Sequence, residues 1–400
     1  MSGVVTKRGA EANAGFADAL PPGFSAHAPE ISIEHIPCCP VCGSAIRAHF
    51  ASGYDYELQT CRNGWNFWQC GECRAVWLDP RPAAAELSVI YPRSYYAYNR
   101  SEKVTPIVGK AKAALDRFKF NSFLRRTGIP GSFLDIGCGD GRYLDLFERR
   151  GVPKDRIYGL DLSDEQVQRL CRRGYRAYRR QVEDCSEIPA GSIDLAIMFH
   201  VIEHVADPVR VVRRIAEWLS PGGALVIETP NLNSWDARLF KKQWWGGYHI
   251  PRHWTLFDAG TLRRLLEQSG LTVRYCAYQT GHGSWMNSFH HAAKYNSRLP
   301  SPSLASWFEL PKGLPMLVAF TALDIVRKRW ECPRRRFSWW VRSAMGALAA
   351  PESISLPSML WRYDIPFGPL HALSASRDIS ATLKLLCRVQ SKGPRPVTRR

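Results

Sequence analysis

The stretch Phe133-Leu134-Asp135-Ile136-Gly137-Cys138-Gly139-Asp140-Gly141 decides how the rest of this chain is read. An apolar strand brings Asp135 to its carboxyl end, and Gly137, Gly139 and Gly141 follow at alternate positions. Glycine lets the backbone turn sharply and approach a ligand closely, because no Cβ intervenes. Tyr143, Leu144, Leu146 and Phe147 then set a helical pattern, and the amino end of such a helix presents N–H groups to the same crevice. The dinucleotide fingerprint is Gly-x-Gly-x-x-Gly. Here the order is acid-x-Gly-x-Gly-x-Gly, so a nicotinamide-dependent oxidoreductase is disfavoured by spacing alone.

Working outward, Arg156–Asp161 reads as a second strand ending in an acid, about 20 residues further on, where doubly wound folds place the carboxylate that holds a ribose. Leu160 and Leu162 flank Asp161 and suit the faces of a purine. Val182-Glu183-Asp184 follows the next helix and strand, and Ile193–Phe199 is a buried-strand run that leads into His200 and His204. Asp207-Pro208 opens an amphipathic helix, with proline where a first turn tolerates it. Pro221-Gly222-Gly223 is expected to turn the chain into a strand over Ala224–Glu228, Leu271–Gln279 reads as a sixth strand, and Ile379–Val389 as a seventh.

Taken together, these motifs resemble the class I S-adenosylmethionine (SAM) dependent methyltransferases over roughly residues 130–280. Their order is close to that of the ubiquinone-type O-methyltransferases and of related enzymes in sugar and polysaccharide pathways. The resemblance implies an α/β fold with a Rossmann-like seven-stranded sheet, and SAM as cofactor. It implies that Asp135 holds the amino-acid end of SAM through the loop Gly137, Cys138, Gly139 and Gly141. Asp161 would take the ribose hydroxyls, Glu183 and Asp184 the adenine side, and Leu162 and Phe199 would line the same site.

Two Cys-x-x-Cys knuckles, Cys39/Cys42 and Cys70/Cys73, are separated by 27 residues. Two such turns complete a tetrahedral Cys₄ set typical of structural zinc, with Gly53–Phe67 forming a longer hairpin between them. Duplicated knuckles outside a βαβ context disfavour a redox pair, and Cys38 and Cys61 are spare thiols that could substitute as ligands. Related methyltransferases carry a small N-terminal zinc-ribbon-like module followed by a Pro-Arg-Pro and Tyr-rich link, matched here by Pro80-Arg81-Pro82 and by Tyr91, Tyr95, Tyr96 and Tyr98. A closed Cys₄ site serves folding or docking, not catalysis.

Composition and charge set the outer limits. The 400 residues are 45% hydrophobic, ample for a packed core, with 12 cysteines and a formal charge of +18. No run approaches the ~18 unbroken apolar residues of a membrane span, and the N-terminus lacks a secretory pattern, so a cytoplasmic location with reduced thiols is expected. The expected organisation is a disordered tail (1–35), a zinc-ribbon-like module (36–80), a linker or helical cover (81–125), the SAM-binding core (126–280), a basic aromatic insertion (281–378), the last core strand (379–390) and a flexible tail (391–400). From 281 onward there are 18 Lys+Arg against 6 Asp+Glu. Basic clusters beside Trp330, Trp339 and Trp340 suit peripheral contact of 314–340 with an anionic membrane face. No RNA-binding signature accompanies the charge, so nucleic acid is not an expected partner.

The loop Trp244–Phe257 is dense in aromatic residues and histidine and resembles a His-x-Pro-x-His signature of the family. His249 and His253 are candidate bases or substrate contacts, or they pack and cap the helix that follows. His200 is the third candidate base, and His204 reads as structural. The expected acceptor is a small molecule, with a glycan or lipid-linked glycan preferred and a quinone precursor or secondary metabolite as alternatives. A non-catalytic zinc- or lipid-binding scaffold on the same fold is the reading from another class.

Overall fold

A computed structural model describes residues 20–92, 128–279, 282–295 and 382–389, except 26 and 242, together with Phe120, Asn121 and Leu124. The basic clusters of 314–340, the tyrosines beyond 92 and the tail 391–400 lie outside the described residues. The chain divides into two compact units: the first comprises 1–123, 230–259 and 278–383, the second 124–229, 260–277 and 384–400.

In the first unit, β1 (Ile33–Glu34) pairs antiparallel with β5 (Arg81–Pro82), while β2 (Arg47–Gly53), β3 (Trp65–Cys70) and β4 (Val76–Leu78) form an antiparallel meander. The expected long hairpin is therefore β2–β3, carrying loop 54–64. The outer edge of β4 is completed from far along the chain: Thr255 pairs with Trp77, Leu256 with Val76, and the Leu78 amide donates to the Trp254 carbonyl at 2.9 Å. Trp65, Phe67 and Leu78 are buried with Trp245, Tyr248, Ile250, Trp254 and Leu256, and Phe67 stacks on Tyr248 with centroids 4.8 Å apart. Segment 230–259 thus belongs to this unit and not to the 126–280 core expected from sequence. The physical reason is that its bulky apolar side chains complete this core.

The disordered tail expected over 1–35 also needs correction for its described part. Ile31 is buried, its amide and carbonyl both held by the Asn63 side chain at 2.9 and 3.0 Å, and Phe24 packs among Tyr54, Tyr56 and Tyr295. Of the expected insertion 281–378, the described part is the helix His282–Tyr295.

Loop 54–64 and loop 249–254 are joined by a fully buried ion pair. Arg252 donates to both oxygens of Asp55 (3.0 and 2.9 Å), to the Ile90 carbonyl (2.7 Å), to the Ile250 carbonyl (3.0 Å) and to Thr60 Oγ1 (3.1 Å). Those contacts use all five donors of a guanidinium. Burial alone would raise the Asp55 carboxyl, but the guanidinium and the Thr60 hydrogen bonds outweigh it and hold the group below its ordinary range.

The second unit is the doubly wound sheet. Its strands are β6 (Phe133–Ile136), β7 (Ile157–Asp161), β8 (Arg176–Arg179), β9 (Ile193–Phe199), β10 (Leu219–Pro230), then, after the short β11 (Thr255–Leu256) of the first unit, β12 (Leu271–Gln279) and β13 (Thr382–Val389). The order is β12-β13-β10-β9-β6-β7-β8, with β10, β9, β6, β7 and β8 parallel to one another. Helix Asp164–Arg172 starts where Ser163 accepts from the Gln166 amide, and Pro208–Trp218 where Asp207 accepts from the Arg210 amide. Such caps satisfy amides that a helix start leaves without partners. One expectation is corrected here. Leu219 pairs with Ile193 and Ala224 with Leu195, so Pro221-Gly222-Gly223 bulges within one long strand instead of turning into a new one.

Asp55→Ala would leave the Arg252 charge buried without its counter-ion, a change that costs about 3–5 kcal/mol. The expected result is a lower unfolding midpoint in denaturant, with the double variant Asp55→Leu/Arg252→Met losing less than Asp55→Ala.

Candidate functional site

Strand β6 lies between β7 on one side and β9 on the other, so its carboxyl end is the switch point where doubly wound sheets open a ligand crevice. The loop beyond it keeps Gly137, Gly139 and Gly141 in left-handed conformations (φ 76°, 50° and 79°). A Cβ at Gly137 would stand 2.5 Å from Val201 Cγ2, and one at Gly141 2.3 Å from Leu170 Cδ2. At Gly139 it would meet nothing within 4 Å, so this glycine borders open space.

The loop amides, however, are committed within the protein. Gly137 and Cys138 both donate to the Leu160 carbonyl (2.8 and 3.0 Å), Gly139 to Asp161 Oδ2 (2.8 Å) and Gly141 to the Cys138 carbonyl (2.9 Å). The loop therefore shapes the crevice, and its chemical character comes from acids. Asp135 is 2% exposed and its Oδ2 has no hydrogen-bond partner. Burial, with a smaller push from Asp161 and Asp140 against the pull of Arg142, lifts its pKa from 3.8 to about 8. Asp161 is also raised by burial, although the amides of Ser163 and Gly139 oppose it. A buried carboxyl with an unused oxygen, beside two further acids, is a seat for a cationic group. The ammonium at the amino-acid end of SAM fits it, and Asp161 retains acceptor capacity for ribose hydroxyls.

The remaining residues named for this pocket lie at neighbouring strand ends. Leu162, next to Asp161, is 56% exposed despite being apolar. Glu183 is half-buried and raised by that burial, whereas Asp184 is exposed and 3.6 Å from Arg210. Phe199 ends β9 with its ring edge-on to Tyr143, centroids 5.6 Å apart. Cys138 is buried, its sulfur 2.9 Å from where a Gly159 Cβ would be.

The three candidate histidines separate between the units. His200 follows β9 in the second unit, with Nδ1 3.3 Å from Glu203 and Nε2 3.7 Å from Glu228. Desolvation disfavours the charged form of this half-exposed ring, yet hydrogen bonds and charge from the two glutamates win and lift its pKa to about 9. A ring held protonated is the opposite of a resting general base. His249 and His253 are buried in the first unit. His249 Nδ1 lies 2.5 Å from Glu57, whose carboxyl is held down at about 2, burial being outweighed by the histidine; His253 Nδ1 donates to the Gly247 carbonyl at 2.8 Å.

Glu203 and Glu228 were not anticipated from sequence, although each is a lone acid in an apolar run, and Glu228 lies near the carboxyl end of its strand. Glu57 carried no local signal.

The four knuckle cysteines do converge. Cys39 and Cys73 sulfurs are 3.5 Å apart, as are Cys42 and Cys70, and all four lie within 4.8 Å of one another. The hydrogen bond shared with Cys39 lowers the Cys73 thiol to about 5. The spare-ligand reading fails for Cys61, which is buried in the apolar core cluster instead. This donor set fits zinc in number and softness.

The chain is similar in sequence to known methyltransferases. The sequence model of a methyltransferase-domain family matches residues 96–275. The chain is 32% identical to a ubiquinone biosynthesis O-methyltransferase of Xanthomonas campestris over 125 residues, 30% of this chain and 51% of that protein. It is 38% identical over 113 residues to an uncharacterized 37.1 kDa protein in transposon TN4556 of Streptomyces fradiae, 27% of this chain and 32% of that one. The matched stretch thus spans a third to a half of the length of these curated relatives. A SAM-dependent methyltransferase structure from Archaeoglobus fulgidus aligns over 74% of this chain and 99% of its own, at 16% identity and a TM-score of 0.39.

The raised Asp135 gives a signed prediction. A carboxyl whose folded pKa lies above its unfolded value adds stability that is full below pH 3.8 and is lost as pH rises through about 8. Denaturant unfolding of the ligand-free chain should show stability falling across that window, and Asp135→Asn should flatten the slope.

Proposed function

We propose that the chain, whose residues 96–275 match a methyltransferase-domain family model and whose second unit is a doubly wound sheet, transfers the methyl of SAM to an oxygen, or a carbon, of a small-molecule acceptor. The observation that carries this reading is the buried Asp135 carboxyl, with its unused oxygen, at the switch point of such a sheet. SAM supplies a methyl on a positive sulfur, ready for one in-line displacement. The chain has to align donor and acceptor and keep water away. Asp135 takes the ammonium end, Asp161 the ribose, and Glu183 the adenine edge, with Leu162 and Phe199 as apolar walls.

A hydroxyl acceptor needs a positioned base. His200, held protonated between Glu203 and Glu228, is not a resting base for it. The acceptor class is a glycan or lipid-linked glycan on the reading that a Cys₄ module, a His-rich loop and a basic segment accompany the domain. The likeness to ubiquinone O-methyltransferases favours a phenolic quinone precursor as the second reading.

The four cysteines are proposed to hold one structural zinc; metal analysis of the purified chain returning no zinc would remove that assignment. Asp161→Ala should raise the SAM dissociation constant about tenfold or more, the loss of a charged hydrogen-bonding partner. Calorimetry showing unchanged affinity would overturn the cofactor reading. Incubation with labelled SAM and fractionated nucleotide sugars, lipids and quinone precursors identifies the acceptor.

A further inference from the structure

At the carboxyl ends of β9 and β10, His200 stands between two carboxylates that the fold has taken out of water. Glu203 is fully buried and Glu228 is 6% exposed, while the imidazole between them remains half exposed. A neutral imidazole has one N–H and one lone pair, so only the doubly protonated ring can meet a carboxylate on each side. The backbone enforces this placement. His200 adopts a left-handed φ of 55°, its amide donates to the Glu228 carbonyl at 2.8 Å, and the Thr229 hydroxyl donates to Glu203 Oε2 at 2.9 Å. Such a backbone state is unfavourable for histidine and persists only where the surroundings impose it. Two neighbouring carboxylates removed from water need a counter-charge, and the ring supplies it.

The position of these groups says what they meet. Val201, the residue after His200, packs where a Gly137 Cβ would be, so this turn abuts the glycine loop. Asp161 marks the ribose end at β7. On the reading above, a donor with its ribose at Asp161 on β7 and its ammonium at Asp135 on β6 runs towards β9, the strand that His200 follows. His204 is a further titratable group beside Glu203.

We propose that Glu203, His200 and Glu228 act as one carboxylate–imidazolium–carboxylate unit of net charge −1 that favours the sulfonium donor over its neutral thioether product. The proposal rests on the SAM reading above. Losing the methyl takes the sulfur from +1 to neutral, so a fixed negative unit at the crevice edge holds substrate more firmly than product. It thereby assists exchange after each turnover. His200 is a positioning residue in this scheme: it keeps both carboxylates ionised and in place.

The test is a ¹⁵N titration of the His200 ring in the full chain, assigned with His200→Gln, in the free protein and with saturating SAM or S-adenosylhomocysteine. The free ring should be doubly protonated at neutral pH and lose its proton near pH 9. SAM should lower that value, because a second positive charge arrives, whereas S-adenosylhomocysteine should leave it nearly unmoved. In parallel, Glu228→Gln should reduce the preference for SAM over S-adenosylhomocysteine about fivefold, the effect of one unit charge at moderate screening. A ring that is neutral at pH 7.5, or equal shifts with both ligands, overturns the proposal, and the wild-type titration decides this even if Glu228→Gln does not fold. Failure of both ligands to bind the wild-type chain, with the ring still titrating near 9, overturns it differently, by removing the cofactor reading itself.

Discussion

The second unit is organised around acids that its fold gathers at the ends of parallel strands. Asp135 lies one residue from the end of β6, Asp161 ends β7, and Asp140 lies in the glycine loop that follows β6. Burial makes the charged form of the first two unfavourable, and their mutual repulsion adds to it for Asp135. A fold that needed only a strand-to-helix turn would have no use for such a group. The three left-handed glycines become intelligible in the same light: two permit close packing against Val201 and Leu170, and Gly139 leaves its side of the crevice open while its amide braces Asp161. Positive backbone angles and buried carboxyls are thus both concentrated at this crevice.

The first unit is governed by a different balance. Its small antiparallel sheet would be thin by itself, and two devices reinforce it. One is the cluster of four sulfurs that draws the knuckles together. The other is chain 230–259, which contributes an edge strand, a set of buried aromatic side chains and Arg252, whose donors are all used. The loop between β2 and β3 is long because it has to supply Asp55 and Thr60 to that guanidinium and Glu57 to His249. The His-rich loop is therefore a folding element.

Much of this was legible in the residues. The glycine loop, the acids at successive strand ends, the order of elements from Phe133 to Gln279 and the convergence of the four cysteines follow from local pattern, and the sheet and cluster are found as expected. What was hidden depends on long-range contacts. Nothing in Trp244–Phe257 announces that Thr255 and Leu256 pair with β4, since a two-residue strand has too little pattern to show. The ordering of Ile31 by Asn63 is equally non-local. Glycine spacing suggested that loop amides would grip a ligand, yet Leu160 and Asp161 take those of Gly137, Cys138 and Gly139, because the end of β7 is nearer than any ligand. His200 looked like a base from its position, and only its two glutamates reveal a cation.

The most direct test of the cation-seeking crevice is proton release on donor binding, measured by calorimetry at pH 7 in buffers of different ionisation enthalpy. Asp135, protonated below about pH 8 in the free protein, should ionise when an ammonium group arrives, so that close to one proton leaves per SAM bound and the effect fades well above pH 8. Binding without net proton release at pH 7, or no binding at all, would contradict the account.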